Sequence, residues 1–406
     1  MTLTADGRLL FATRIARMFG YGLLSVVLVL YLVALGIGGF QVGLILTLTL
    51  MGDAGISLWL TTHADRVGRR RILLVGAGLM LLAGIVFAVT RDPWILLLAA
   101  TIGVISPSGN EVGPFLAVEQ ASLTQTIPDR ERTRIFGWYN LVGSLATASG
   151  ALAAGFIAQT LQGSGSSVID SYRAIVIGYA LVGVGLAALF WRLSPAIEVP
   201  AAPSTSVATR LGLHRSRGIV LRLAALFSLD AFAGGFVMQS LIAYWFHQRF
   251  GADPATLGVI FFGANILAGF SALAAARLAA RIGLINTMVF THLPSNVLLI
   301  LVPLMPNLPL AIGVLLARFA ISQMDVPTRQ SYTIAVVDPD ERSAAAGVTG
   351  IARSLGAAVS PSLATPLLQS VPLMGLPFII AGGLKIVYDV LVLRAFRAVR
   401  PPEEVR

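Results

Sequence analysis

Asp65-Arg66-Val67-Gly68-Arg69-Arg70-Arg71 lies between two long apolar stretches. On either side, residues 42–62 and 71–90 are each long enough to cross a bilayer, which takes roughly twenty apolar residues. A fainter copy, Ala280-Arg281-Ile282-Gly283, recurs about 215 positions later, again between apolar runs. One basic loop between apolar runs is ordinary. The same loop twice in register marks a chain made of two like halves, and a site between two halves can be opened to either side of a membrane in turn.

Composition leaves few alternatives. Of 406 residues, 56% are hydrophobic and only 12% charged, against about 25% charged in a soluble domain. So few charges cannot cover a globule of this size, but they suffice for the loops of a bilayer protein. The net charge of +10 does not signal nucleic acid, because the basic residues form no stripe with interleaved aromatics. No cysteine is present, which excludes disulfides, thiolate catalysis and cysteine metal sites. The histidines are scattered, without zinc-ligand spacing. No Walker-type loop is present, so the chain does not drive transport with ATP. Neither an enzyme nor a cofactor is implied. Lys385 is the only lysine, an arginine bias read as that of a bacterial genome. The apolar run after Met1–Gly7 is too long for a signal-peptide core, so it reads as a first membrane helix.

Hydropathy predicts twelve spans: 10–36, 42–62, 71–90, 94–124, 135–160, 172–193, 217–246, 254–279, 284–304, 308–336, 344–370 and 376–397. The chain divides into a six-helix bundle over 1–193, a proline-punctuated linker over 194–216, and a second bundle with a short tail over 217–406. With the N-terminus inside, the arginines concentrate in the cytoplasmic loops, and only Arg91, Arg173 and Arg249 fall outside. The positive-inside rule therefore places both termini in the cytoplasm. Trp59, Trp94, Trp138, Trp191 and Trp245 all lie near predicted span ends, where indole rings favour the headgroup layer. The halves align at an offset of about 210 to 215: Tyr31 matches Tyr244, and Pro128-Asp129-Arg130-Glu131-Arg132 matches Pro339-Asp340-Glu341-Arg342.

Taken together, the spans, the repeat and the loop resemble a transporter of the major facilitator superfamily over essentially the whole chain. The family pattern between the second and third helices is Gly-x-Leu-Ala-Asp-Arg-x-Gly-Arg-Arg/Lys. This sequence supplies Ala64, Asp65, Arg66, Gly68, Arg69 and Arg70, and departs at Thr61 and His63. The resemblance implies an all-α membrane fold with twelve transmembrane helices in two pseudo-symmetric six-helix bundles. It also implies that spans 1, 4, 7 and 10 line the cavity, and that the basic loop gates the cytoplasmic ends. Two patterns of proton-coupled drug exporters are weak. The span 4 arginine pattern is absent, and the span 5 pattern survives only as Gly143, Gly150 and Gly155, a run better read as close helix packing.

Ionised side chains at bilayer depth must face water or a partner. Acids within predicted spans are Asp53, Glu111, Glu119, Asp230, Asp325 and Asp389. The cations there are Arg14, Arg17, Arg222, Arg277, Arg318, Arg329, Arg353 and Lys385. Arg14, Arg222 and Arg277 are placed to snorkel to the interface. Spacing pairs Asp325 with Arg329 and Lys385 with Asp389, each at i,i+4. Pseudo-symmetry pairs Arg17 with Asp230. Asp53 has no cation within a turn. Asp53, Glu111, Asp230 and Asp325 are the proton-coupling candidates. The cavity candidates are Arg17, Tyr21, Asn110, Glu111, Tyr139, Asn140, Asp230, Gln239, Gln323, Asp325, Arg329 and Arg353, although packing is the plainer reading for Tyr21. Pro294 is expected to kink span 9, with Ser295 or Asn296 meeting the freed backbone.

The reading is a monomeric transporter of the bacterial inner membrane that moves a small organic solute by alternating access, coupled to protons, in the direction of efflux. Its partners are the solute, protons and lipid, with no nucleic acid. Uptake or facilitated diffusion of a small organic anion is the first alternative, favoured by Arg17, Arg329 and Arg353. A non-transporting sensor or scaffold on the same fold is the second.

Overall fold

The computed structural model describes residues 3–127, 132–198, 213–338 and 341–397. Among them the long elements are all α-helices. The first half gives α1 (Ala5–Ala34), α2 (Gly39–Val67), α3 (Arg69–Val89), α4 (Pro93–Ile102), α5 (Phe115–Thr126), α6 (Arg132–Gly163) and α7 (Val168–Trp191). The second gives α8 (Arg217–Gly235), α9 (Gln239–Phe250), α10 (Pro254–Ile282), α11 (Leu284–Leu301), α12 (Leu308–Ser322), α13 (Asp325–Ala335), α14 (Arg342–Gln369) and α15 (Leu376–Phe396). Their ends follow local chemistry. Asp92 caps α4 by accepting from the N–H groups of Trp94 and Ile95, with Pro93 in the first turn. Asn307 caps α12 in the same way, and Gly251 ends α9 in the left-handed region at φ +66°.

Ten stretches are long and apolar enough to cross a membrane among the described residues, counting α8–α9 and α12–α13 as one each. The α4–α5 pair and α14 complete the twelve predicted segments. Three spans expected to be continuous are interrupted. Span 4 loses helical structure from Gly103 to Pro114, span 7 at Phe236–Met238, and span 10 at Gln323–Met324. The span 4 break has a local cause. Pro107, Gly109, Gly113 and Pro114 fall within it, and both glycines hold positive φ, at +71° and +79°.

The described residues form two compact units. Unit 1 comprises the described residues of Met1–Pro203 and Met238–Asn265, and unit 2 those of Ser204–Val237 and Ile266–Arg406. The cut differs from that of the sequence halves: α9 and the start of α10 belong with unit 1, where α9 packs on α1. Most of the predicted linker, and residues 128–131 and 339–340 of the paired loops, lie outside the described residues.

Each unit contains a tightly crossed helix pair made possible by glycine. In unit 1, α1 meets α6: a Cβ on Gly22 would stand 2.1 Å from the Thr147 carbonyl oxygen, and one on Gly150 2.1 Å from that of Phe19. In unit 2, α8 meets α14: a Cβ on Gly235 would stand 2.5 Å from the Ala357 carbonyl oxygen, and one on Gly356 2.4 Å from that of Ser228. Lipid offers no hydrophobic drive for helix association, so backbone approach across small residues supplies the packing. Gly155 likewise abuts the backbone of Pro254, in keeping with the packing reading of the Gly143–Gly155 run. One tryptophan expectation is corrected. Trp59, Trp94, Trp138 and Trp191 are exposed, but Trp245 is buried against Phe246 and Phe250, because α9 is enclosed within unit 1.

Candidate transport site

In unit 1 the charges form a closed network. Arg17 is fully buried. Its guanidinium grips both oxygens of Glu119, with Nη1–Oε1 at 2.7 Å and Nη2–Oε2 at 2.8 Å, the parallel fork that makes arginine–carboxylate pairs strong. Its Nε and Nη2 also reach Glu111, at 3.3 and 3.2 Å. Glu119 accepts further bonds from Thr13 Oγ1 at 2.8 Å and from the Tyr139 hydroxyl. Arg14 pairs with Glu111, donates from Nε to the Tyr139 carbonyl at 2.9 Å, and lies over the Tyr139 ring. The expectation that Arg14 snorkels is therefore corrected. It is buried, because the break in span 4 delivers Glu111 as an internal counter-ion. Arg222 and Arg277 are exposed.

Broken helix leaves peptide groups that hydrocarbon cannot satisfy, and side chains from neighbouring helices meet them. The Tyr21 hydroxyl donates to the Val112 carbonyl at 3.0 Å, and the Tyr179 hydroxyl donates to that of Val104. Ser106 Oγ donates to the Asn110 carbonyl at 2.7 Å. Asp53 Oδ1 accepts from the Gly113 N–H at 2.5 Å and from Ser57 Oγ at 3.0 Å. Among the described residues, no arginine, lysine or histidine pairs with Asp53. Asn110 and Asn140 are exposed, whereas Gln239 is buried and donates to Ser25 Oγ at 2.7 Å.

In unit 2 a single carboxylate gathers three cations. Asp230, buried on α8, receives Lys385 Nζ at 2.5 Å on Oδ1, and Arg329 Nη1 and Arg353 Nη1 at 3.3 Å each on Oδ2. Arg329 Nη1 also lies 2.8 Å from Asp325 Oδ2, the i,i+4 pair read from the sequence. Behind this cluster, His292 Nδ1 lies 2.8 Å from Asp389 Oδ1, and Asn296 Nδ2 donates to Asp389 Oδ2 at 2.9 Å.

Three expectations change here. Lys385 does not pair with Asp389, because it reaches Asp230 while Asp389 turns to His292 and Asn296. Arg17 and Asp230, which pseudo-symmetry pairs, each take counter-ions within their own unit. Asn296 serves Asp389 rather than backbone freed by Pro294, and Ser295 Oγ is buried without a hydrogen-bond partner. Gln323 is half-buried at the α12–α13 junction, where its N–H donates to Ser271 Oγ.

The basic loop is held at one end of unit 1. Gly68 turns the chain at φ +107°. Asp65 Oδ1 accepts from Arg69 Nε at 2.9 Å, and Arg70 lies over the Trp191 ring. Glu198 caps α3 by accepting from the N–H groups of Arg69 and Arg70 at 2.7 and 3.1 Å. Arg66 is exposed. Glu198 was not among the residues the sequence singled out, since its distance along the chain from the loop hides the contact. In unit 2, Glu341 plays a comparable part: it accepts from the N–H groups of His214, Arg215 and Ser216 at 2.5 to 2.8 Å.

With this geometry in place, comparison with known proteins is direct. The family model of the Major Facilitator Superfamily matches residues 10–361 and 223–406. An uncharacterized membrane protein of Saccharomyces cerevisiae is 30% identical, over 97% of this chain and 94% of its own. The quinolone resistance protein NorA of Staphylococcus aureus is 26% identical over 140 residues, 34% of this chain and 35% of its own. Among solved structures, nucleoside transporter NupG superposes with a TM-score of 0.73 at 13% identity, covering 97% of this chain and 100% of NupG. A D-xylose-proton symporter gives 0.73 at 13% identity, covering 95% and 96%. The chain belongs to the major facilitator superfamily. It is a multi-pass membrane transporter of small solutes and not an enzyme.

Proposed function

We propose that this member of the superfamily is a proton-coupled exporter of a small organic solute, working by alternating access with Asp53 as the proton carrier. One observation carries the reading. Asp53 sits within a span with no cationic partner among the described residues, yet it holds the Gly113 N–H of the broken segment that carries Glu111. A proton added to Asp53 breaks no ion pair and weakens its grip on that segment. Protonation is thereby tied to the geometry of the span 4 break. Glu111, Asp230 and Asp325 are poorer carriers, because protonating any of them leaves a buried arginine or lysine short of its counter-ion. The part of the chain that resembles NorA, a resistance protein, supports export. The near-absence of lysine supports a bacterial inner membrane, the arginines concentrated in alternate loops support both termini in the cytoplasm, and the Asp65–Arg70 loop, braced by Glu198, is the gating element.

Flux of radiolabelled gluconate into proteoliposomes, with a pH gradient imposed in each direction, tests this. Export against proton entry predicts accumulation on the acidic side. Asp53→Asn is expected to abolish the response to pH while gluconate–gluconate exchange persists. Accumulation on the alkaline side would replace export with anion uptake in symport, the reading that the three cations at Asp230 favour. A gradient without effect on the wild type would remove proton coupling.

A further inference from the structure

The charges of unit 2 do not pair off. By shortest distance, Asp230 belongs to Lys385 at 2.5 Å, Asp325 to Arg329 at 2.8 Å and Asp389 to His292 at 2.8 Å. Arg353 is left with no carboxylate of its own. Its one ion-pair contact is at 3.3 Å, to an Asp230 oxygen that Arg329 already approaches at the same distance. Its side chain is also the open one of the cluster, 34% exposed, where those of Arg329, Lys385 and Asp230 are 6%, 9% and 5% exposed.

Arg353 lies well inside α14, far from either end of a 28-residue helix. An unmatched guanidinium at that depth must face water or an anion. Two nearly convergent guanidiniums present planar N–H forks, the geometry that binds a carboxylate through two parallel hydrogen bonds. Around Asp230 and Asp325, the cations Lys385, Arg329 and Arg353 outnumber the two carboxylates, so the matching ligand is an anion.

We propose that Arg353, backed by Arg329 and the Asp230 cluster, is the receptor for the carboxylate of the transported solute, a small organic anion. This rests on the transport reading only in taking the bound anion to be the solute. It needs neither proton coupling nor a direction. Asp230 acts as the internal stand-in, holding Arg353 in place when no solute is bound and yielding it when a carboxylate arrives. Arg17 cannot do the same in unit 1, because its donors are already spent on Glu119 and Glu111.

The test is thermal melting of the purified full-length protein with matched probes: lactate, gluconate and benzoate, each against its amide. A ligand that binds only the folded protein raises its melting point. At least one carboxylate is expected to raise it while its neutral amide does not. Arg353→Gln is expected to weaken that carboxylate by about tenfold or more, the loss of charge-assisted hydrogen bonds, and Arg353→Lys by less, since it keeps the charge without the fork. Asp53→Asn is expected to keep the carboxylate shift, so failure of the proton reading would leave this site standing. Carboxylates and amides shifting the protein alike, no carboxylate shifting it, or full carboxylate affinity in Arg353→Gln would each overturn the site and leave the proton reading untouched.

Discussion

Arg17 in unit 1 and Arg353 in unit 2 are both arginines inside membrane spans, and each meets a buried acid of its own unit. Arg17 is closed on all sides: two glutamates take its fork, and Glu119 is itself completed by Thr13 and Tyr139. Arg353 has a shared, longer contact and an open flank. The same residue type thus serves as a rivet in one unit and as an unfilled donor in the other. What separates them is the arithmetic of neighbouring carboxylates. Unit 1 sets Glu111 and Glu119 against Arg14 and Arg17, while in unit 2 Asp230 and Asp325 face three cations, Lys385, Arg329 and Arg353.

The largest expected effect falls on the rivet. Arg17→Gln strands Glu119 as a buried unpaired charge, and removing one partner of such a pair costs about 3–5 kcal/mol, measurable as a lowered melting temperature. If Arg17→Gln melts like the wild type, the closed network is not holding unit 1. Next comes the glycine crossing beneath it. Gly150→Leu drives a side chain into the Phe19 carbonyl, and overpacking of this kind costs about 1–3 kcal/mol. The matching change Gly356→Leu should destabilise unit 2 similarly, and a marked inequality would break the likeness of the two crossings. A smaller effect separates the loop caps by pH. Burial opposes ionisation of Glu341, but the N–H groups of His214, Ser216 and Arg215 outweigh it and bring its carboxyl down to about 2. A depressed carboxyl stabilises the folded state above its ordinary value of 4.5, and that contribution fades as pH falls from there toward 2. Glu341→Gln should therefore flatten the acid limb of the stability curve and leave its neutral region lower. The smallest expected change in stability is at Arg353→Gln, within about 1 kcal/mol of the wild type, because its ion pair is long and partly open.

How much of this the sequence disclosed follows from distance along the chain. The spans were legible, because a run of twenty apolar residues is a local signal. So was the packing role of Gly143, Gly150 and Gly155. The span 4 break was missed: Pro107, Gly109, Gly113 and Pro114 mark it, but the apolar residues on either side carry the hydropathy signal across it. Spacing alone gave a mixed result: Asp325 and Arg329 meet at i,i+4, while Lys385 and Asp389, with the same spacing, do not. The difference is that Asp230 lies within reach of Lys385, 155 positions away, and only the fold brings them together. Arg17 and Glu119, 102 positions apart, were individually conspicuous and mutually invisible for the same reason.

The most direct measurement is one series of thermal melts on wild type, Arg17→Gln and Arg353→Gln, each with and without the carboxylate that stabilises the wild type. Arg17→Gln should melt several degrees lower yet keep the ligand-induced rise, whereas Arg353→Gln should melt near the wild type and lose that rise. The reverse pattern, with the ligand response lost at Arg17 and kept at Arg353, would contradict the division of labour between the two arginines.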